Sequence, residues 1–309
     1  WACLNPVGGR GGVEALWSKS RMWDERAWWA AARAGHVEVL QWLEEHEEAE
    51  HLEERALYES SFSHAVAGGH VGVLRWLRAR GPPSPDAFRD VEIAARCGHA
   101  EVLRWMAGEG GSLTRGLRPR EEELMSDVAI AGHLGVLQLL RGQGLEWDPE
   151  KTCNSAAAGG HVDVLRWLVL DQGLPHEDAP YYAATNGHRH VLEWFSHRPS
   201  GAWDFWSQPG VQDVCLYACM GGHLPLLQWL REQGCGWDER SPLAAGSSGS
   251  VPVLRWLRQQ GCPWDENRIC THAARNGQAG VLAWIRETAA TEGNLGDEFE
   301  AFLRDLEMA

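Results

Sequence analysis

Seven histidines in this 309-residue chain directly follow a glycine: His36, His70, His99, His133, His161, His188 and His223. Imidazole is suited to general acid–base work near neutral pH and is a common metal ligand. Catalysis needs such a base once, in one pocket with a partner. Here it recurs at the same point of a repeating phrase, which assigns the histidines to the fold. Eight cysteines form the next chemically capable set, and none makes a C-x-x-C pair. Cys215 and Cys219 in "CLYAC" lie four apart, on one helical face, but no histidine pair at ligand spacing accompanies them. Neither a metal site nor a cofactor is expected. No nucleophile and base pair or phosphate loop rises above the repetition, so the chain does not read as an enzyme.

The phrase itself is a repeat. With the glycine before each histidine as zero, marks fall at Gly35, Gly69, Gly98, Gly132, Gly160, Gly187, Gly222, Gly249 and Gly277. A repeat of about 28 residues thus occurs nine times. Small residues stand four and three before the mark, as in Ala94-Ala95, Ala156-Ala157, Ala183-Ala184 and Ala273-Ala274, inside about ten residues of good helix material. Aspartates after tryptophan (Asp24, Asp148, Asp238, Asp265) stand where a helix N-cap belongs, and the glycine ends that first helix. A second helix then places apolar residues two, four, five, seven and eight after the mark, for example Val71, Val73, Leu74, Trp76 and Leu77. One pair of short helices cannot enclose that stripe. Stacked pairs can, and they make one continuous core.

"TCNSAAAGGHVDVLRWL" and "ICTHAARNGQAGVLAWI" stand in the frame of T-P-L-H-x-A-A followed by G-H-L-E-V-V-K-L-L-L. The chain therefore resembles the ankyrin repeat, in a short, tryptophan-rich variety. The resemblance runs from about Gly11 to Thr288. It departs from the family in its shorter repeat, in a T-P-L-H proline missing from most copies, and in "CPWDE" or "CGWDE" where the family has its finger. The implied fold is all-α: an ankyrin-like α-solenoid of stacked helix-turn-helix units, about nine full repeats, with little strand. "GGVEALWSKSRMWDE" reads as the second half of a further, partial N-terminal repeat. The array is expected to span residues 1–288, with insertions near 44–58, 108–123 and 196–212. Residues 289–309 read as an amphipathic C-terminal capping helix with Phe299, Phe302, Leu303 and Leu306 at helical spacing.

Eight repeats carry tryptophan seven after the mark: Trp42, Trp76, Trp105, Trp167, Trp194, Trp229, Trp256 and Trp284; the ninth has Leu139. Leucine in the same frame marks this row as core. A second series, Trp23, Trp147, Trp203, Trp237 and Trp264, sits in the connections, where two readings stay open: a wedge between repeats or a contact surface. Arginines nine after the mark (Arg78, Arg141, Arg231, Arg258, Arg286) lie off the apolar stripe and are expected to face water. Cys153, Cys215 and Cys270 form one column and Cys235 and Cys262 another. Helix layers about 8–10 Å apart exceed the ~7 Å Cα separation of a disulfide, so the thiols are expected unbridged, in an intracellular setting, cytoplasm or organelle matrix.

What repeats specifies a scaffold, and what varies is free to specify a partner. The resemblance implies ligand contact along the first helices, which singles out the residues just before each mark: Arg33, Arg96, Thr185, Asn186, Arg275 and Asn276, with Ser247 and Ser248 beside them. Trp203, Phe205 and Trp206 gather in the third insertion, outside the helical stripe. The function expected is a non-catalytic protein–protein interaction scaffold, an accessory subunit of a larger complex. The alternative is a substrate-recognition adaptor whose effector domain lies outside this chain. A net charge of −15 without a basic cluster disfavours nucleic acid, and no long apolar run suggests membrane insertion. Trp167→Leu should leave the protein folded in a circular-dichroism melt, whereas Trp167→Asp should unfold the central repeats. Equal tolerance of both would show that the tryptophan row is exposed.

Overall fold

The computed structural model describes residues 25–46, 54–81, 87–108, 121–197 and 211–291. These residues contain eighteen α-helices and no strand. The chain divides into two compact units, residues 1–148 and 149–309. In the first, α1 (Glu25–Ala34) pairs with α2 (Val37–His46), α3 (Glu54–Gly68) with α4 (Val71–Arg78), α5 (Ala87–Arg96) with α6 (Ala100–Gly108), and α7 (Glu121–Ile130) with α8 (Leu134–Gly142). In the second, α9 (Pro149–Gly159) pairs with α10 (Val162–Arg166), α11 (Ala179–Thr185) with α12 (Arg189–Ser196), α13 (Val211–Met220) with α14 (Leu224–Glu232), α15 (Arg240–Ser248) with α16 (Val251–Gln259), and α17 (Glu266–Arg275) with α18 (Ala279–Thr291). The partial N-terminal repeat, Trp23 and Asp24 lie outside the described residues, as does the capping segment beyond Thr291.

Within each unit, first helices pack on first helices and second helices on second helices of the neighbouring repeat. The small pair near the end of each first helix makes this possible: Ala31, Ala32, Ala94, Ala95, Ala156 and Ala157 are wholly buried. The approach is so close that a Cβ on Gly221 would run into the Thr185 carbonyl. On the second helices, the aliphatic residues four and five after each mark are at most 5% exposed in every repeat. Truncating one such leucine to alanine should cost about 2–5 kcal/mol. The residue seven after the mark lies at the edge of this stripe. Trp42, Trp76 and Trp229 are buried, while Trp105, Trp167, Trp194, Trp256, Trp284 and Leu139 are half-buried.

The turn between the two helices is the same in all nine repeats. The glycine takes a positive φ, between 68° and 84°. Its N–H bonds back to the carbonyl three residues earlier, and the next residue's N–H bonds back five, as in Gly187 to Ala184 (3.2 Å) and His188 to Ala183 (2.9 Å). This Schellman closure satisfies carbonyls that the helix end would otherwise orphan. A second closure of the same kind ends α8, α14 and α16, at Gly144, Gly234 and Gly261.

The stretch after His161 is built differently. Gly173 follows His161 by twelve residues, where Gly234 follows His223 by eleven. The extra residue is absorbed as a π-helical turn, Trp167–Asp171, with Gln172 N–H bonding to the Trp167 carbonyl at 3.1 Å.

The aspartate caps are realised unevenly. Asp265 is the N-cap of α17 and accepts from the Arg268 N–H at 3.0 Å. Asp238 accepts from the Arg240 N–H at 2.9 Å, although Glu239 occupies the cap position of α15.

Two glycines with the same backbone shape separate two constraints. At Gly187 (φ +78°) a Cβ would sit 2.8 Å from the His223 ring, whereas at Gly234 (φ +85°) it would meet nothing within 4 Å. Each alanine variant should incur about 1 kcal/mol or more for the left-handed conformation. Gly187→Ala should lose clearly more stability than Gly234→Ala in urea unfolding. Equal losses would mean that the ring contact contributes nothing.

Candidate functional site

The histidine after each mark is the N-cap of the second helix, yet its side chain does not cap it: no such bond forms at His70, His133, His161, His188 or His223. At His70, His99, His133, His188 and His223 the ring turns instead to the preceding repeat. His99 Nε2 lies 3.0 Å from the Ala67 carbonyl, His133 Nε2 3.2 Å from that of Arg96, His188 Nε2 2.8 Å from that of Ala158, and His223 Nε2 2.9 Å from that of Thr185. The acceptor is always the residue two before the previous mark. A carbonyl can only accept, so Nε2 carries the proton in each. The ring lies over the previous glycine, where a Cβ would be 2.6 Å from Nδ1 of His70 at Gly35, of His99 at Gly69 and of His133 at Gly98. Where histidine is missing, Ser250 and Gln278 stand over Gly222 and Gly249. These histidines hold layers together, which leaves them poorly placed to serve as a base.

The connections also depart from expectation. Arginines expected to face water stack on the tryptophans: Arg231 lies 3.8 Å from the Trp237 ring, Arg141 4.9 Å from Trp147 and Arg258 5.5 Å from Trp264. Two of those indoles also meet the next repeat's row, Trp237 against Trp256 at 5.4 Å and Trp264 against Trp284 at 6.2 Å, both edge to face. A guanidinium and a second indole together hold Trp237 and Trp264 in place. The long arginine side chains cover the apolar connection: Arg141 stays exposed as expected, whereas Arg231 and Arg258 are half-buried and the Arg231 guanidinium donates to the Cys235 carbonyl.

The residues singled out for partner contact are scattered along the ends of the first helices. Arg33, Arg96, Asn186, Arg275 and Asn276 are exposed, and Thr185 is half-buried. Arg96 is engaged by Glu92 at 2.9 Å and Asp127 at 2.8 Å. Asn186 and Asn276 each donate to the carbonyl four residues back, at 2.9 and 2.8 Å, and Thr185 does likewise to Tyr181 at 2.9 Å. These polar groups finish their own helix ends. Trp203, Phe205 and Trp206 lie outside the described residues.

The same helix ends carry apolar residues that sequence reasoning passed over. Ile130 (48% exposed) and Met220 (47%) each stand two before a mark, and Tyr182 (47%) stands five before one. In the second unit, Tyr181 and Tyr217 stack at 5.0 Å between α11 and α13, the two helices that carry Tyr182 and Met220. A matching ring pair, Trp29 on His64 at 5.2 Å, joins α1 to α3 in the first unit. The signal was present in the alignment, since Ile130 and Met220 share the column of Arg33 and Arg96. Polar variation alone does not reveal it.

Among the described residues no group of three or more His, Cys, Asp or Glu is arranged to hold a metal ion. No described helix is long and apolar enough to cross a membrane. No protein-family model matches the chain, and no curated protein matches it.

Burial lowers the pKa of His188 from its ordinary 6.5, opposed by its bond to Ala158 and reinforced by His190, His161 and His223. The folded protein thus favours neutral His188. Its contribution is complete above the ordinary value and is lost as pH falls from there through the lowered one. The urea midpoint should fall between about pH 7 and about pH 5. His188→Gln, which copies Gln278, should reduce that slope. An unchanged slope would mean that this ring does not sense pH.

Proposed function

We propose that this chain is a non-catalytic scaffold for protein–protein interaction, of ankyrin-like construction, serving as an accessory subunit of a larger complex. The observation that carries the reading is the exposure of Tyr182 and Met220 on the two neighbouring helices that the stacked Tyr181 and Tyr217 bridge. Exposed aromatic and methionine side chains on a well-braced surface are what protein interfaces use as anchors. The repeating helical pairs and their common turn support the ankyrin-like assignment. The histidine rings, engaged between layers, support a role without catalysis. A charge of −15 suits a protein partner better than nucleic acid. The described cysteines carry no disulfide, which fits an intracellular setting.

The test is quantitative affinity capture followed by mass spectrometry, comparing the natural chain with a Tyr182→Ser, Met220→Ser double variant. Both residues are about half exposed, so stability should change by no more than about 0.5 kcal/mol for each. Specific partners should be lost at an unchanged melting temperature. A Trp203→Ser, Trp206→Ser variant measures the third insertion in parallel. Full retention of the same partners by both variants would overturn this surface as the contact site.

A further inference from the structure

Arginines of this acidic chain are widely engaged by its own residues. Arg80, Arg96, Arg189 and Arg240 pair with carboxylates, and Arg141, Arg231 and Arg258 lie on tryptophans. One column differs. The arginines six after the mark, Arg75, Arg104, Arg166 and Arg255, are exposed, and none pairs with a carboxylate among the described residues. Only Arg75 and Arg104 stand in successive repeats; Arg166 lies between Gln138 and Glu193 in the column, and Arg255 between Gln228 and Ala283.

That pair flanks a groove. The neighbouring second helices α4 and α6 leave an open volume of about 520 Å³ lined by Val71, Gly72, Arg75, Glu101, Arg104 and Trp105. All six residues belong to one compact unit. Gly72 leaves space on the α4 side, since a Cβ there would meet nothing within 4 Å. On the α6 side the half-buried Trp105 packs against Phe62 with ring centroids 6.3 Å apart, which fixes the wall. Glu101 shares the groove, yet neither guanidinium is paired with it.

We propose that this groove binds an acidic peptide segment of a partner protein, with carboxylates held at Arg75 and Arg104 and an apolar side chain against Val71 and Trp105. A guanidinium fork matches a carboxylate in shape and charge, and an indole beside it is the usual wall for an apolar anchor. Glu101 selects for peptide over nucleic acid. It repels phosphate, and it can accept the backbone N–H donors that an extended peptide carries beside its carboxylates, whereas a phosphodiester backbone offers only acceptors. The two arginines are 29 residues apart in the chain, so they form no basic cluster in sequence and share a groove only through the stacking of repeats. The inference goes beyond the scaffold reading, naming a partner chemistry and a face made of second helices. Its test uses a defined peptide in place of captured partners, so the two stand or fall separately.

The probe is a fluorescein-labelled peptide, Gly-Glu-Asp-Leu-Asp-Glu, titrated with the intact chain by fluorescence anisotropy beside its neutral counterpart, Gly-Gln-Asn-Leu-Asn-Gln. Saturable binding of the acidic peptide alone is expected, weakening as salt is added. Arg75→Gln with Arg104→Gln should weaken it about fivefold or more. Arg166→Gln with Arg255→Gln, the same charge change in the same column but away from the groove, should leave it unchanged. Gly72→Leu should fill the groove and block binding without lowering the melting temperature, because leucine is the better helix former. The proposal is overturned if the natural chain shows no saturable binding, if both arginine pairs weaken it equally, or if short single-stranded DNA binds more tightly than the peptide.

Discussion

One contact between neighbouring layers organises this protein: an imidazole lying flat on a glycine, with its Nε2 proton directed at a carbonyl of the preceding helix end. Each part depends on the others. The carbonyl is accessible because it belongs to a helix terminus, where no further turn takes it up. The ring can reach it only because the residue beneath has no Cβ. That glycine is in turn required to end the helix in a left-handed conformation. A single glycine thus serves a turn within its own repeat and a seat for the ring of the next.

The alignment frame made the helices, their pairing and the glycine turn legible, because a periodic apolar stripe and a terminating glycine are local signals. The histidines were legible as structural from their recurrence, but not what they do there. An N-cap position suggests bonding within the helix, whereas His99, His133, His188 and His223 bond across layers. Contacts that run obliquely between columns were hidden. Reading down a column sets Arg231 among water-facing arginines and Cys235 among the connection cysteines. The folded chain lays Arg231 on Trp237, from a different column, and turns the same guanidinium to the Cys235 carbonyl. The candidate surface was legible by place but not by chemistry, since Ile130 and Met220 occupy the expected column with apolar side chains.

The two sides of a repeat are consolidated by different forces. At the first helices, small side chains permit backbone approach, and the ring pairs Trp29 with His64 and Tyr181 with Tyr217 bridge adjacent layers. At the connections, an indole meets both a guanidinium and a second indole. The second arrangement keeps cationic groups on the surface of a strongly acidic chain without leaving them loose, since each is committed to a ring. This places the chemical variety of the protein on the first-helix side, where Arg33, Ile130, Thr185, Met220 and Arg275 all occupy the same column.

The π-helical turn at Trp167–Asp171 bears on how such a chain tolerates change in length. An inserted residue in a helix normally rotates everything beyond it by about 100° and would carry the following stripe off the core. Here the surplus is confined between two glycines of positive φ, Gly160 and Gly173, and Leu174 still closes the helix end by bonding to the Leu168 carbonyl at 3.1 Å. The surplus therefore stays inside this one repeat: the interval from Gly160 to Gly187 is 27 residues, the same as that from Gly222 to Gly249, and the turns at both of its ends keep the common form.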